Sequence, residues 1–234
     1  MKKDLTVLYP EKEKPIKHQQ DWQFEFYYNR IEEFKNNPIG FDKIVFLGNS
    51  ITEAGGDWNK KFNVQNIVNR GISGDMTEGV LNRIGEIIYY KPIAVFLLIG
   101  INDIFNSDLP DREKITAEYV SNNILNISNR IIEGSPSTKI FIQTTLPINN
   151  EIYTKEKGWF PSHSVPLNTQ INDINKLLKE KCKNTSFKII DLHSVFTNNK
   201  GLLNQAYTTD GVHLNEHGYV AWVDFIKEKI ISLH

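Results

Sequence analysis

Lys43-Ile44-Val45-Phe46-Leu47-Gly48-Asn49-Ser50-Ile51-Thr52 is the stretch whose reading decides the fold. A short apolar run, β-branched at its start and ended by glycine and polar residues, predicts a strand buried on both faces, as strands inside parallel sheets are. Ser50 stands just past the C-terminal end of that run. Open α/β sheets hold their ligands at this edge, where the free amides of the next helix also point. Ser50 is therefore a candidate nucleophile, and its partners should come from the other strand ends.

Outward from this stretch the pattern repeats. Residues 62–69 alternate loosely and read as a second strand, 93–99 as an unbroken apolar third, 139–144 as a fourth and 187–191 as a short fifth. Between them, residues 76–90 place Val80, Leu81, Ile84, Ile87 and Ile88 on one helical face, and 112–133 do the same with Ile115, Tyr119, Ile124, Ile127 and Ile131. Residues 167–182 and 215–231 read as further helices. Strands alternating with helices give a doubly wound parallel sheet with right-handed crossovers. Residues 146–166 form an irregular loop too long to be a mere connection, hence functional or mobile. Residues 21–35 read as a helix on the outside of the sheet, and 1–20, with Pro10 and Pro15, as an irregular lead-in. The expected organisation is one domain, with residues 1–40 as lead-in and outer helix and 41–234 carrying the motifs.

Composition narrows the partners. With 234 residues, 40% hydrophobic and 24% charged, the chain resembles an ordinary soluble globular domain. A net charge of -1 offers no electrostatic case for nucleic acid or an anionic membrane surface, and no apolar run approaches the roughly 20 residues of a spanning helix. Cys182 is the only cysteine, so an intrachain disulfide and a Cys-based zinc site are both excluded. Residues 1–20 contain no apolar signal region, which fits a cytoplasmic chain and equally an exported one that begins after its leader. Oligomeric state is not written in these features.

Three strand ends carry Gly-plus-polar turns: Gly48-Asn49-Ser50, Gly71-Ile72-Ser73-Gly74-Asp75 and Gly100-Ile101-Asn102-Asp103. In a parallel sheet these turns converge on one edge. Asp210-Gly211-Val212-His213 adds an acid and a histidine three residues apart, just before a helix that Asn215 can cap. Acyl transfer by serine needs a nucleophile, an imidazole to take its proton and an acid to hold the imidazole's tautomer. It also needs donors for the oxyanion, each worth about 2.7–4 kcal/mol. The Ser50 amide, the Gly74 amide and the Asn102 side chain are the candidates. Together these four blocks resemble, in order and separation, those of the SGNH (GDSL-type) hydrolases, over residues 41–234. The resemblance implies a flavodoxin-like three-layer sandwich with a five-stranded parallel sheet, and serine esterase chemistry without metal or cofactor. It assigns Ser50 as nucleophile, Asp210 and His213 as its triad partners, and Gly74 and Asn102 as oxyanion donors. Asn49 replaces the usual aspartate of the first block, which touches local hydrogen bonding and not the reaction.

Other readings are weaker. Asp191 and His193 form a second acid–histidine pair, their Cα atoms about 6.6 Å apart if one strand runs through both. Asp191 is read as structural and His193 as non-catalytic, because Asp210 and His213 match the family block better. His213 and His217 are four residues apart, but nothing resembles the His-Glu-x-x-His zinc motif. The Gly-x-Ser-x-Gly elbow fails at Thr52, and a phosphate loop fails for want of its lysine. Trp58, Trp159 and His163 are candidates for the substrate wall. The expected reaction removes a small acyl group, acetyl, from an acetylated carbohydrate. A lysophospholipase or thioesterase acting on longer chains is the alternative, and a non-catalytic carbohydrate-binding module the rival from another class.

Overall fold

Strand β1 (Ile44–Gly48) pairs in parallel with β2 (Ile67–Gly71) on one side and β3 (Ala94–Leu98) on the other. Strands β4 (Lys139–Gln143) and β5 (Lys188–Ile190) extend the sheet in the order β2-β1-β3-β4-β5, all parallel. This is the expected five-stranded α/β fold. The structure is a computed structural model and describes residues 5–12, 16–109 and 111–233. The expected lead-in over 1–20 therefore lies partly outside the described residues; within it, Thr6–Leu8 forms a 3-10 turn.

Every residue of β1 and β3 is buried, as the unbroken apolar runs require. Side chains alternate between two cores. Val45, Leu47, Val95, Leu97, Ile140 and Ile142 face one core, with residues of α4 (Thr77–Asn82), α5 (Gly85–Tyr90), α7 (Ala117–Gly134) and α9 (Leu167–Lys181). Ile44, Phe46, Phe96 and Phe141 face the other, with α3 (Trp58–Phe62) and α11 (Glu216–Ile231). There the register sets Phe46 beside Phe96 and Phe96 beside Phe141. Their rings stack at 5.1 and 4.6 Å, and Trp58 stacks on Phe46 at 4.5 Å. Burial of each such side chain contributes about 1.5–3 kcal/mol, and ring pairing adds about 0.5–1.5 kcal/mol.

A third cluster joins α1 (Asp21–Asn36) to the lead-in through Tyr9, Ile16, Tyr27, Tyr28, Ile31 and Phe34, with Ile72 from the loop after β2. The remaining short helices are α2 (Ser50–Glu53), α6 (Ile101–Phe105), α8 (Asn150–Lys157) and α10 (Leu192–Phe196).

Three expectations are corrected. The strand expected over 62–69 is the end of α3 followed by β2. The Asp57 carboxylate accepts from the Lys60 N–H and starts a helix whose Trp58 and Phe62, four residues apart, both enter the core. The single helix expected over 76–90 is α4 and α5, broken at Arg83 and Ile84 where Arg83 turns its side chain into the sheet edge. The loop over 146–166 contains α8, capped by Asn149, whose side chain accepts from the Ile152 N–H.

Close packing at the end of β1 leaves no room for a side chain. A Cβ at Gly48 would lie 2.3 Å from both the Leu98 carbonyl oxygen and Thr52 Oγ1. Gly48→Ala is expected to lower stability by about 1–3 kcal/mol, read as a shift in the urea midpoint at constant slope. An unchanged midpoint would show that this edge can yield.

Candidate active site

Ser50 is the first residue of α2, so its own N–H has no partner inside the helix and faces outward. Its Oγ lies 3.0 Å from His213 Nε2. On the far side of the ring, His213 Nδ1 lies 2.7 Å from Asp210 Oδ2. A carboxylate there keeps the proton on Nδ1 and leaves Nε2 as an acceptor for the serine hydroxyl. Asp210 Oδ1 accepts from the Val212 and His213 N–H groups at 2.9 and 2.8 Å. Burial pushes the Asp210 carboxyl up, but the bonds from the His213 ring and the two backbone N–H groups outweigh it and hold Asp210 well below the usual carboxylate range. The acid is therefore ionised at neutral pH.

The loop carrying Asp210 and His213 is closed by a bridge between Thr208 and Leu214, and the Thr208 hydroxyl donates to the His213 carbonyl at 2.6 Å. It rests on the segment before α8. Gly211, at φ +84°, puts its carbonyl 2.7 Å from the Asn149 N–H, and a Cβ there would lie 2.3 Å from the Asn149 carbonyl oxygen. Residues 146–166 are thus packed against the histidine loop. Asn49 keeps the local bonding that its departure from the family pattern put in question: its Oδ1 accepts from the Ile51 N–H at 3.0 Å.

Gly74 and Asn102 come to the same edge. Asn102 Nδ2 donates one hydrogen to the Asp75 carbonyl at 2.9 Å, leaving its second hydrogen for the cleft. Next to it Asp103 accepts from both the N–H and the hydroxyl of Thr77. Two consecutive residues of α6 thus grip the loop that bears Gly74. That loop is also held from beneath by Arg83, fully buried with Asp75. Arg83 donates to Asp75 Oδ2 at 2.9 Å and to the carbonyls of Arg70 and Gly48 at 3.0 Å each.

The other site expectations divide. Trp159 lines the cleft, half exposed, with its ring 5.6 Å from that of Tyr153. Trp58 is corrected: it is 1% exposed, its Nε1 donates to the Thr52 carbonyl, and it belongs to the core stack on Phe46. His163 is also placed elsewhere, facing a neighbouring hollow, with Nε2 2.8 Å from the Phe105 carbonyl oxygen. Asp191 pairs with Lys179 at 2.7 Å, and His193 Nδ1 lies 3.1 Å from Thr197 Oγ1; neither residue touches the cleft. The sequence reading found the helix over 21–35 but missed that it lines the site. Gln20, Trp22, Gln23 and Phe26 line the same cleft of about 900 Å³ as Ser50 and His213. Gln23 Nε2 donates to the Gly74 carbonyl at 2.9 Å. The available signal was Trp22 and Phe26 four residues apart on a helix, with no strand pattern nearby to cover them. Among the described residues no group of three His, Cys, Asp or Glu could hold a metal ion, and no helix is long and apolar enough to cross a membrane.

Residues 46–221 match the sequence profile of the GDSL-like Lipase/Acylhydrolase family. The chain belongs to that family. GDSL-like acylhydrolases are carboxylic ester hydrolases, and this chain is one of them by membership. It is 28% identical over 212 residues to an N-acylneuraminate cytidylyltransferase of Escherichia coli O18:K1:H7, which covers 86% of this chain but only 43% of that relative. It is 26% identical over 195 residues to the platelet-activating factor acetylhydrolase IB subunit alpha2 of Homo sapiens, covering 81% of this chain and 76% of the relative. A GDSL-like lipase from Bacteroides thetaiotaomicron superposes with a TM-score of 0.70 at 21% identity, over 89% of this chain and 98% of that one.

Two outcomes follow for the acylhydrolase's buried charges. Arg83→Met strands the Asp75 carboxylate and is expected to cost about 3–5 kcal/mol at neutral pH. The loss should shrink on acidification, as Asp75 takes up a proton. Urea titrations at pH 7.5 and pH 5 compare the two, and an equal loss at both would remove the ionic reading. Asp103 is pushed up to about 7 by burial, against the bonds from Thr77. The folded protein therefore holds a proton that the unfolded chain releases near pH 4. Its contribution is full below the unfolded value and is lost as pH rises towards 7. The slope of wild-type stability against pH over this window should flatten in Asp103→Asn, and an unaltered slope would contradict the raised value.

Proposed function

We propose that the protein is a serine esterase that removes a small acyl group, acetyl, from an acetylated carbohydrate, with Ser50, His213 and Asp210 as its triad. The observation that carries the reading is the unbroken relay from Ser50 Oγ through both nitrogens of His213 to Asp210. His213 takes the Ser50 proton as the oxygen attacks the ester carbonyl. The negative oxygen of the tetrahedral intermediate is received by the Ser50 N–H, the Gly74 N–H and the free hydrogen of Asn102. His213 then returns the proton to the departing alcohol, leaving acyl-Ser50. Water, deprotonated by His213, releases the acid and restores the serine. The similarity to the human acetylhydrolase subunit supports the small acyl group.

Ser50→Ala should reduce hydrolysis of p-nitrophenyl acetate by at least about three orders of magnitude with folding intact. Equal slow turnover by both proteins would leave the relay without its chemistry. His213→Ala should reduce the same rate by a comparable factor with folding intact, and an unaffected rate would remove His213 as the base. In a series of p-nitrophenyl esters, a steep drop beyond acetate supports the small acyl group. A maximum at octanoate or longer would favour the longer-chain alternative.

A further inference from the structure

The cleft has two unlike walls. Next to His213, α8 and the residues after it supply Tyr153 and Trp159. Opposite, α1 supplies Trp22 and Phe26, rings 6.2 Å apart and each about half exposed (49% and 55%). Trp22 is set directly against the candidate oxyanion loop: a Cβ on Gly74 would lie 2.7 Å from Trp22 Cη2. Its orientation is fixed, because Trp22 Nε1 donates to Gln20 Oε1 at 2.9 Å. The same oxygen accepts from Asn106 Nδ2 at 3.2 Å, and Gln20 Nε2 donates to Asp108 Oδ1 at 3.4 Å. A polar cluster of Gln20, Asn106 and Asp108 thus borders an aromatic face, a few side chains from the nucleophile.

The charges along this cleft are few. Among the described residues lining it, none is Lys or Arg, and Asp108 is the only carboxylate. An anionic substrate would give up its hydration with no cation to meet it, and would face Asp108 with Asp210 behind the histidine. A quaternary ammonium group could rest on the rings and be attracted to Asp108, but it has no N–H or O–H to bond the carboxylate and amides of the rim, whose polar atoms would be left unmet. A neutral sugar uses both: its C–H face lies on an indole while its hydroxyls meet fixed amides and a carboxylate oxygen. Asn106 Oδ1, the second Asn106 N–H and Asp108 Oδ2 have no partner among the described residues. An acetyl group fills a small part of about 900 Å³, so the rest of the space belongs to the alcohol portion.

The geometry points to the N-terminal end of α1 as the subsite for the leaving group, with Trp22 as its platform and Gln20, Asn106 and Asp108 as its hydrogen-bonding rim, selecting a neutral polyhydroxylated alcohol over charged ones. This rests on the esterase reading above. The test compares kcat/KM of the full chain for four acetate esters: ethyl acetate, an acetylated methyl xyloside (neutral), an O-acetylated sialic acid (anionic) and acetylcholine (cationic). The expected order puts the xyloside first, at least tenfold above either charged ester. Trp22→Ala and, separately, Asn106→Ala should reduce the rate on the xyloside at least about tenfold more than on ethyl acetate, mainly through KM. Trp22→Phe should restore part of that preference. Asn106→Ala matters because the side chains set nearest to Gly74 are Trp22 and Gln23, not Asn106. Preference for the sialic acid or for acetylcholine would overturn the neutral subsite, as would variants that slow all four esters in parallel. If the wild type and Ser50→Ala are equally inert on ethyl acetate, the esterase reading itself has failed, a result separate from a lost preference.

Discussion

The buried guanidinium of Arg83 is the tie on which the site depends. A buried backbone carbonyl has two lone pairs, and a second donor at this edge adds to the ladder bond. Arg83 donates to the Gly48 carbonyl, which also accepts from the Ile72 N–H, and to the Arg70 carbonyl, while its other donors hold the Asp75 carboxylate. A planar fork of five donors suits this role, and lysine could not serve three acceptors spread in this way. The consequence reaches Ser50, two residues beyond Gly48, and Gly74, one residue before Asp75. A second buried pair, Arg70 with Glu86, continues the network outward to the Asn37 carbonyl, the Ile39 N–H and the Tyr9 hydroxyl. The N-terminal segment is thereby bonded to the same edge.

From this tie the remaining parts acquire their positions. Asn102 and Asp103 grip residues 75–77 from α6, Gln23 grips Gly74 from α1, and Glu53 accepts from the N–H and hydroxyl of Ser73 while pairing with Arg30 of α1 at 3.0 Å. Three separate segments, α6, α1 and α2, therefore join Arg83 at one loop. Such redundancy is what a preorganised oxyanion site requires, since donors that must move into place stabilise the transition state less.

Much of this was legible in the sequence. β1 and β3 announce themselves because strands buried on both faces must be apolar throughout, and the Gly-plus-polar turns mark the edge at which ligands bind. Asp210 and His213 could be found because the loop between them is local, closed within seven residues by Thr208 and Leu214. What failed was long range or directional. Gln23 meets Gly74 across 51 residues, and no local pattern encodes that contact. Trp58 sits a few residues from Ser50 in sequence, yet the cap at Asp57 turns its helix so that the ring enters the core. His163 lies in the right segment but is held by the Phe105 carbonyl outside the cleft. Proximity along the chain gave no information about which way a side chain faces.

The four tryptophans divide into two optical populations. Trp58 and Trp222 lie 5.0 Å apart in the aromatic core and are almost wholly shielded, whereas Trp22 and Trp159 are half exposed on opposite walls of the cleft. An indole shielded in this way is out of reach of a dissolved quencher while the chain is folded, and an exposed one is not. Quencher access to the two pairs therefore reports separately on the fold and on the cleft.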